Sequence, residues 1–143
     1  MTLALNLHPQ SKVLEIGTGS GFQTALLAAF SNSVYTIERI EALHERAKER
    51  LKQADFANIQ FKLDDGSTGW EEHAPYDRIM VTAAAAQTPP ELVDQLTFGG
   101  KMIIPVGTPI LQELLLIEKD EVGMTHTEVL NKVRFVPLKG KYE

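Results

Sequence analysis

Hydrophobic and polar positions follow two alternating periods along this chain, one typical of strands and one typical of helices. Short apolar, β-branched runs predict five strands, over Lys12 to Ile16, Val34 to Ile37, Ile59 to Leu63, Arg78 to Val81 and Met102 to Val106. Helical spacing predicts helices over Phe22 to Phe30, Glu41 to Ala54 and Pro90 to Leu96. Strands that alternate with helices predict an α/β fold with a mostly parallel, twisted sheet and helices on both faces.

The same runs predict where individual elements lie. The first strand is nearly continuous in apolar residues and is predicted to be central, whereas Ile59 to Leu63 alternates like an edge strand. The helix from Phe22 to Phe30 is apolar almost all round, so it is predicted to pack deeply against the sheet near its N-terminus. The helix from Glu41 to Ala54 is apolar on one side only and is predicted to lie on the surface.

The pattern changes after Gly107. Gln112 to Glu118 and Val129 to Leu138 are strand-like without a convincing helix between them, which predicts a C-terminal antiparallel strand pair. A parallel sheet that ends in this way is typical of the Rossmann-like fold of class I methyltransferases. A length of 143 residues suits one ordinary core, so we expect a single domain over residues 1–143.

Composition narrows the classes of function. The net charge of -5 argues against a nucleic-acid partner, because phosphate binding needs clustered Lys and Arg. The chain contains no cysteine, its four histidines are widely scattered, and no segment reaches the length of a membrane span. We therefore expect no metal site, no membrane partner and a cytoplasmic location.

The strongest local signal is the glycine-rich segment from Gly17 to Gly21, which follows a strand and precedes a helix. Glycines let a ligand approach the backbone, and the helix N-terminus offers unpaired N–H groups. The spacing is G-x-G-x-G, and Glu15 lies two residues before it, where a carboxylate would repel a pyrophosphate. This favours a ligand with a sulfonium and an amino-acid end, although a plain tight turn is the alternative.

Two further acidic residues follow neighbouring strands. Glu38 ends the second strand, where a carboxylate can accept both hydroxyls of an adenosine ribose, or else cap the next helix. Asp65 follows the third strand and could accept the adenine amino group, although Asp-Gly is often only a turn. Because parallel strands end at one edge of the sheet, we expect Glu15, Glu38 and Asp65 to converge around one adenosyl group.

At this point the chain resembles the protein-L-isoaspartate O-methyltransferase family. The resemblance spans about Val13 to Gly140, and it is carried by Val13 to Ala25, Tyr35 to Arg39, Asp65-Gly66, Gly69-Trp70, Ala74 to Asp77, Val81 to Ala84, Gln95-Leu96, Gly99-Gly100, Pro105 to Gly107 and Val133 to Leu138. The family implies transfer of a methyl group from S-adenosyl-L-methionine to the carboxylate of isoaspartyl residues in damaged proteins, which leaves S-adenosyl-L-homocysteine.

The resemblance also implies roles for particular residues. The cofactor would be bound by Glu15, Gly17, Thr18, Gly19, Gly21, Glu38, Arg39, Asp65 and Gly66. Thr82 and Ala83 would line the site of methyl transfer, and Val133, Phe135 and Val136 would border the substrate peptide. Thr82 is interpreted equally well as a structural hydroxyl, and Val133 to Leu138 as a plain terminal strand. Asp64 departs from the family, which usually has glycine there.

Relatives carry a longer N-terminal segment that covers the cofactor, whereas the first strand is predicted here by Lys12. An alternative to an active enzyme is therefore a module that binds the cofactor without methylating alone. Apolar surface left uncovered would then be buried by self-association or by a partner chain. A nicotinamide-dependent oxidoreductase is disfavoured by the glycine spacing.

Overall fold

The computed structural model describes residues 2–133, 136 and 138 of the chain. Four α-helices and seven strands alternate along most of this length. In chain order they are α1 (Thr2–Leu5), β1 (Lys12–Ile16), α2 (Phe22–Ala29), β2 (Ser33–Glu38), α3 (Glu41–Gln53), β3 (Ile59–Leu63), β4 (Tyr76–Val81), α4 (Pro90–Asp94), β5 (Leu96–Gly107), β6 (Gln112–Lys119) and β7 (Thr125–Val133). A single 3-10 turn, Glu71–His73, precedes β4. No helix in this part of the chain is long and apolar enough to cross a membrane.

The seven strands form one sheet in the order β3-β2-β1-β4-β5-β6-β7. The first five in this order are parallel, and β6 pairs antiparallel with both β5 and β7. The predicted α/β class, the edge position of β3, the central position of β1 and the C-terminal antiparallel pair are confirmed. The chain adds β2 and β3 on one side of β1 and then crosses to add β4 on its other side, and open α/β sheets bind ligands at the carboxyl ends of strands at such a switch point.

The sheet has an apolar core on each face, because side chains alternate along every strand. Leu14 and Ile16 of β1 lie on one face together with Leu92 of α4, which we name the α4 face. Val13 lies on the other, with Leu5 of α1 and Leu27 of α2, which we name the α2 face. The predicted helices on both faces are confirmed, with α1 and α2 on one side and the short α4 on the other.

Helix α2 corrects one prediction. Phe22 at its first position is 72% exposed, and the helix is buried through Thr24, Leu27 and Ala28. A helix that lies on one face of a sheet contacts it through a single stripe, so apolar residues on the remaining sides stay in solvent. The apolar sequence therefore did not mean deep packing at the N-terminus.

The last strand also differs from its prediction. β7 begins at Thr125, four residues before the predicted start, and ends at Val133, while Val136 and Leu138 lie outside any strand. The turn after β6 sets this start, because the Asp120 side chain accepts hydrogen bonds from the N–H groups of Val122 and Met124. β7 is an edge strand with an exposed polar start, which gave no apolar signal in the sequence.

Candidate functional site

A cavity of about 420 Å³ opens at the carboxyl ends of β1, β2 and β4. It includes eight residues singled out from the sequence: Gly17, Gly19, Glu38, Arg39, Asp65, Thr82, Ala83 and Val136. Its remaining described walls are apolar and consist of Ile16, Ile37, Ile40, Leu43 and Leu138. A cavity of this size, mostly apolar with a few polar groups, is typical of small-molecule sites.

The glycine-rich turn forms one wall of the cavity. The N–H groups of Gly17 and Thr18 donate to the Ile37 carbonyl at 2.8 and 3.2 Å, which ties the turn to the end of β2. Gly17 has a φ of 102°, and a Cβ at this position would overlap Oγ1 of Thr82. The turn therefore needs glycine here, for its backbone conformation and for its close approach to β4.

Glu38 is held at the cavity wall by two backbone donors. Its Oε1 accepts the N–H of Gly19 at 2.8 Å, and its Oε2 accepts the N–H of Ile40 at 3.0 Å. An ionised carboxylate offers about four lone-pair sites, so these two bonds leave acceptor capacity on both oxygens. Glu38 is thus fixed in orientation and can still accept two hydroxyl groups from a ligand.

Asp65 lies at the cavity after β3. Its Oδ1 accepts the N–H and the hydroxyl of Ser67 at 2.8 and 2.9 Å, which sets the carboxylate in a tight turn. The next residue is packed rather than exposed to the cavity, because a Cβ at Gly66 would lie 2.7 Å from Cγ2 of Ile16. Asp64, the departure from the family pattern, pairs with Lys62 at 3.3 Å and is not a lining residue.

Thr82 lines the cavity directly after β4 and bonds to the end of β1. Its hydroxyl donates to the carbonyls of Ile16 and Gly17 at 3.0 and 3.1 Å, and its N–H donates to the Ile16 carbonyl. The single hydroxyl hydrogen is therefore used within the protein. Thr82 lines the cavity, and its hydroxyl acts there as the link between β4 and the glycine-rich turn.

Glu15 does not join the other two carboxylates. It is fully buried on the α2 face, where its Oε1 accepts hydrogen bonds from Thr36 at 2.7 Å and from Thr24. Its Oε2 has no hydrogen-bond partner among the residues described. Burial raises the pKa of Glu15 to about 7; the two threonine bonds oppose this rise and the Glu38 charge adds to it.

The predicted convergence of three carboxylates is therefore wrong. Glu38 and Asp65 meet at the cavity, and Glu15 points away from it, because Ile16 occupies the cavity side of β1. Thr18 is likewise buried, and Gly21 packs against Leu51 of α3. Phe135 and the side chain of Val133 lie outside the described residues.

The apolar residues that line the cavity were not predicted from the sequence. Ile40 is 42% exposed and is the N-cap of α3, a position that favours Ser, Thr, Asp or Asn because their side chains accept free N–H groups. An isoleucine there provides no such acceptor, and Glu38 accepts the Ile40 N–H. An apolar residue at a predicted helix start, two residues after the strand-end acid, was the available signal for a ligand wall.

An open, mostly parallel sheet with this turn and this cavity defines a Rossmann-like class I methyltransferase. The family model for protein-L-isoaspartate(D-aspartate) O-methyltransferase matches residues 1–143. Protein-L-isoaspartate O-methyltransferase 2 of Syntrophobacter fumaroxidans is 56% identical over 98% of this chain. The chain therefore belongs to the protein-L-isoaspartate(D-aspartate) O-methyltransferase family. It spans 57% of the length of that relative.

Two solved structures that are named as isoaspartate methyltransferases are also similar to this chain. A protein-L-isoaspartate O-methyltransferase structure matches with a TM-score of 0.89 at 27% identity, over 97% of this chain and 45% of that one. A Plasmodium falciparum structure in complex with S-adenosyl-L-homocysteine matches with a TM-score of 0.82 at 29% identity, over 96% of this chain and 70% of that one.

Proposed function

We propose that the protein uses S-adenosyl-L-methionine to methylate the free carboxylate of L-isoaspartyl residues in damaged proteins. The observation that carries the proposal is the position of Glu38, fixed by two N–H groups beside a glycine-rich turn. Membership of the isoaspartate methyltransferase family supports the reaction and its substrate class.

The residues present fit this cofactor. The free lone pairs of Glu38 suit the two ribose hydroxyls, and the Asp65 carboxylate suits the amino group of adenine. Ile37, Ile40 and Leu43 provide apolar walls for a flat aromatic base. The backbone at Gly17 and Gly19 permits close approach of the amino-acid end. We propose these residues, with Arg39 at the rim, as the cofactor contacts.

The bound cofactor supplies a methyl group activated on a positive sulfonium. The acceptor carboxylate, with an ordinary pKa of about 3.9, is ionised at neutral pH, so the protein needs no general base. Its task is to align the acceptor oxygen with the methyl group and to exclude water. Thr82 and Ala83 line the cavity, and we propose that this wall sets the distance between the two reactants.

The substrate peptide is proposed to pass along Val133, Phe135 and Val136. Val136 is 72% exposed at the cavity, and its carbonyl accepts the N–H of Ala84 at 2.8 Å. Leu138 donates its N–H to the Ala84 carbonyl at 2.6 Å. These two bonds hold Val136 and Leu138 beside Ala84 and support a role for Val136 at the cavity.

A binding module without turnover is the second candidate. Among the described lining residues Arg39 is the only cation, whereas Glu38 and Asp65 are acidic. Such a lining suits a cationic cofactor better than it suits the carboxylate of a substrate. Methyl transfer therefore requires that the carboxylate of the substrate peptide is bound beside this acidic lining, and a protein that binds only the cofactor would not meet this requirement.

One experiment separates the candidates. The protein is incubated with methyl-labelled S-adenosyl-L-methionine and an isoaspartyl peptide, with the matching aspartyl peptide as control. We expect base-labile methyl ester on the isoaspartyl peptide alone. Calorimetric binding of S-adenosyl-L-homocysteine without ester formation would support the module, and absence of cofactor binding would reject both.

A further inference from the structure

Four polar side chains lie buried together beneath the glycine-rich turn, on the face opposite the cavity. Oγ1 of Thr18 lies 2.6 Å from Oγ1 of Thr36, which donates to Oε1 of Glu15 at 2.7 Å. Thr24 donates to the same oxygen of Glu15. All four residues are nearly or fully inaccessible to solvent.

The direction of each hydrogen bond follows from the number of hydrogens. A threonine hydroxyl has one, and that of Thr36 is used toward Glu15. In the bond between Thr18 and Thr36, the donor must therefore be Thr18. The result is a one-way relay in which Thr18 donates to Thr36 and Thr36 donates to the carboxyl group of Glu15.

This relay begins at the centre of the turn. Thr18 stands between Gly17 and Gly19, both of which line the cavity. Its carbonyl accepts the N–H of Gly21 at 3.0 Å, so its position also sets where α2 begins. A shift of Thr18 would therefore move the backbone at Gly17 and Gly19.

We propose that Glu15 is a positioning residue that holds the glycine-rich turn in its cofactor-binding shape through Thr36 and Thr18, without touching the cofactor. The proposal rests on the proposed binding of S-adenosyl-L-methionine in the cavity. Burial of a carboxyl group with one unpartnered oxygen is costly. The relay explains why a carboxyl group is buried here, because one carboxyl oxygen accepts the hydroxyls of both Thr24 and Thr36.

The first test removes the middle of the relay and then restores it. Thr36→Val keeps the size of the side chain and removes the hydroxyl, and Thr36→Ser returns the hydroxyl. Calorimetry with S-adenosyl-L-homocysteine should show roughly tenfold weaker binding for Thr36→Val, because the bond accepted from Thr18 and the bond donated to Glu15 are both lost, and recovery for Thr36→Ser. Ser11→Ala, which loses a buried hydroxyl far from the cavity, is the matched control and should keep the affinity of the parent.

The second test changes the acceptor. Glu15→Gln keeps an oxygen that can accept both hydroxyls and should bind with an affinity within about threefold of the parent, whereas Glu15→Leu should lose roughly tenfold or more. Each variant is measured below its own unfolding transition. Equal affinities for Glu15→Leu or Thr36→Val and the parent would overturn the relay. If the parent itself fails to bind, the proposed cofactor site is rejected instead.

Discussion

Replacing Gly17 with alanine tests how closely the glycine-rich turn is fitted against β4. The residue has a φ of 102°, and an L side chain in such a conformation costs about 1–3 kcal/mol. The new Cβ would also overlap Oγ1 of Thr82. If Thr82 turns away, it loses its hydrogen bonds to Ile16 and Gly17, at about 1 kcal/mol in total for the one donated hydrogen. We expect Gly17→Ala to lower the free energy of unfolding by roughly 2–4 kcal/mol.

The two contributions can be separated with Thr82. The Cβ of Thr82 would lie 3.7 Å from the new Cβ, an ordinary contact, so only the hydroxyl causes the overlap. In a Thr82→Ala background Gly17→Ala should therefore cost about 1 kcal/mol less than in the parent. In a Thr82→Val background the hydrogen bonds are also absent, but a methyl group stays near the site of the hydroxyl and keeps the overlap, so the relief should be smaller than in Thr82→Ala.

Urea unfolding of the parent, the single variants and both double variants measures this cycle. Calorimetry with S-adenosyl-L-homocysteine on the same proteins reports whether the turn still binds. An equal cost of Gly17→Ala in the parent and the Thr82→Ala background would refute the contact, and a cost near zero in both would refute the strained backbone as well.

Three further predictions concern other contacts. Glu38→Ala should weaken binding of S-adenosyl-L-homocysteine by more than about tenfold, because it removes a charged acceptor, and calorimetry showing an unchanged affinity would exclude Glu38 as a ligand. Burial raises the pKa of Glu15 from 4.5 to about 7, so between these pH values the folded state binds more protons than the unfolded state. The contribution of Glu15 to the free energy of unfolding therefore falls as pH rises from about 4.5 to about 7. The urea midpoint should decrease less between pH 5 and pH 8 in Glu15→Gln than in the parent. An equal decrease in both proteins would contradict the raised pKa. Arg78→Ala should speed hydrogen exchange in α1, because its guanidinium donates to the carbonyls of Leu5 and Asn6 at 2.6 and 3.2 Å, and unchanged exchange would show that α1 is held by packing alone.

The parallel pairing of the strands, the central position of β1 and the edge position of β3 were accessible from the sequence for a physical reason. Alternation of strand and helix restricts neighbouring strands to parallel crossovers of one hand, and the apolar content of β1 and β3 separated centre from edge. Glu38 followed from the same logic, because an acid that ends a parallel strand must stand at the ligand edge of the sheet. The structure places it there, at the cavity wall.

The position of Glu15 away from the cavity could not be predicted from the sequence in the same way. Alternation along β1 puts Glu15 and Ile16 on opposite faces, but it does not say which face the cavity uses. That choice depends on contacts distant in sequence, among them Leu138 and Val136, which line the cavity beside Ile16. The extent of β7 was hidden for a similar reason, since an exposed edge strand needs no apolar stripe.

Alternation along β2 explains how one short stretch serves both faces. Ile37 faces the cavity and Thr36 faces the buried relay, so by alternation alone Glu38 would lie on the side of Thr36. It reaches the cavity because β2 ends at Glu38, where the N–H groups of Gly19 and Ile40 draw its carboxylate to the rim. The Gly19 N–H bound by Glu38 directly follows Thr18, which the relay holds from the other face. The glycine-rich turn is thus fixed between two carboxyl groups, one that faces the cavity and one that does not. A change at either carboxyl group should therefore alter the shape of the cavity.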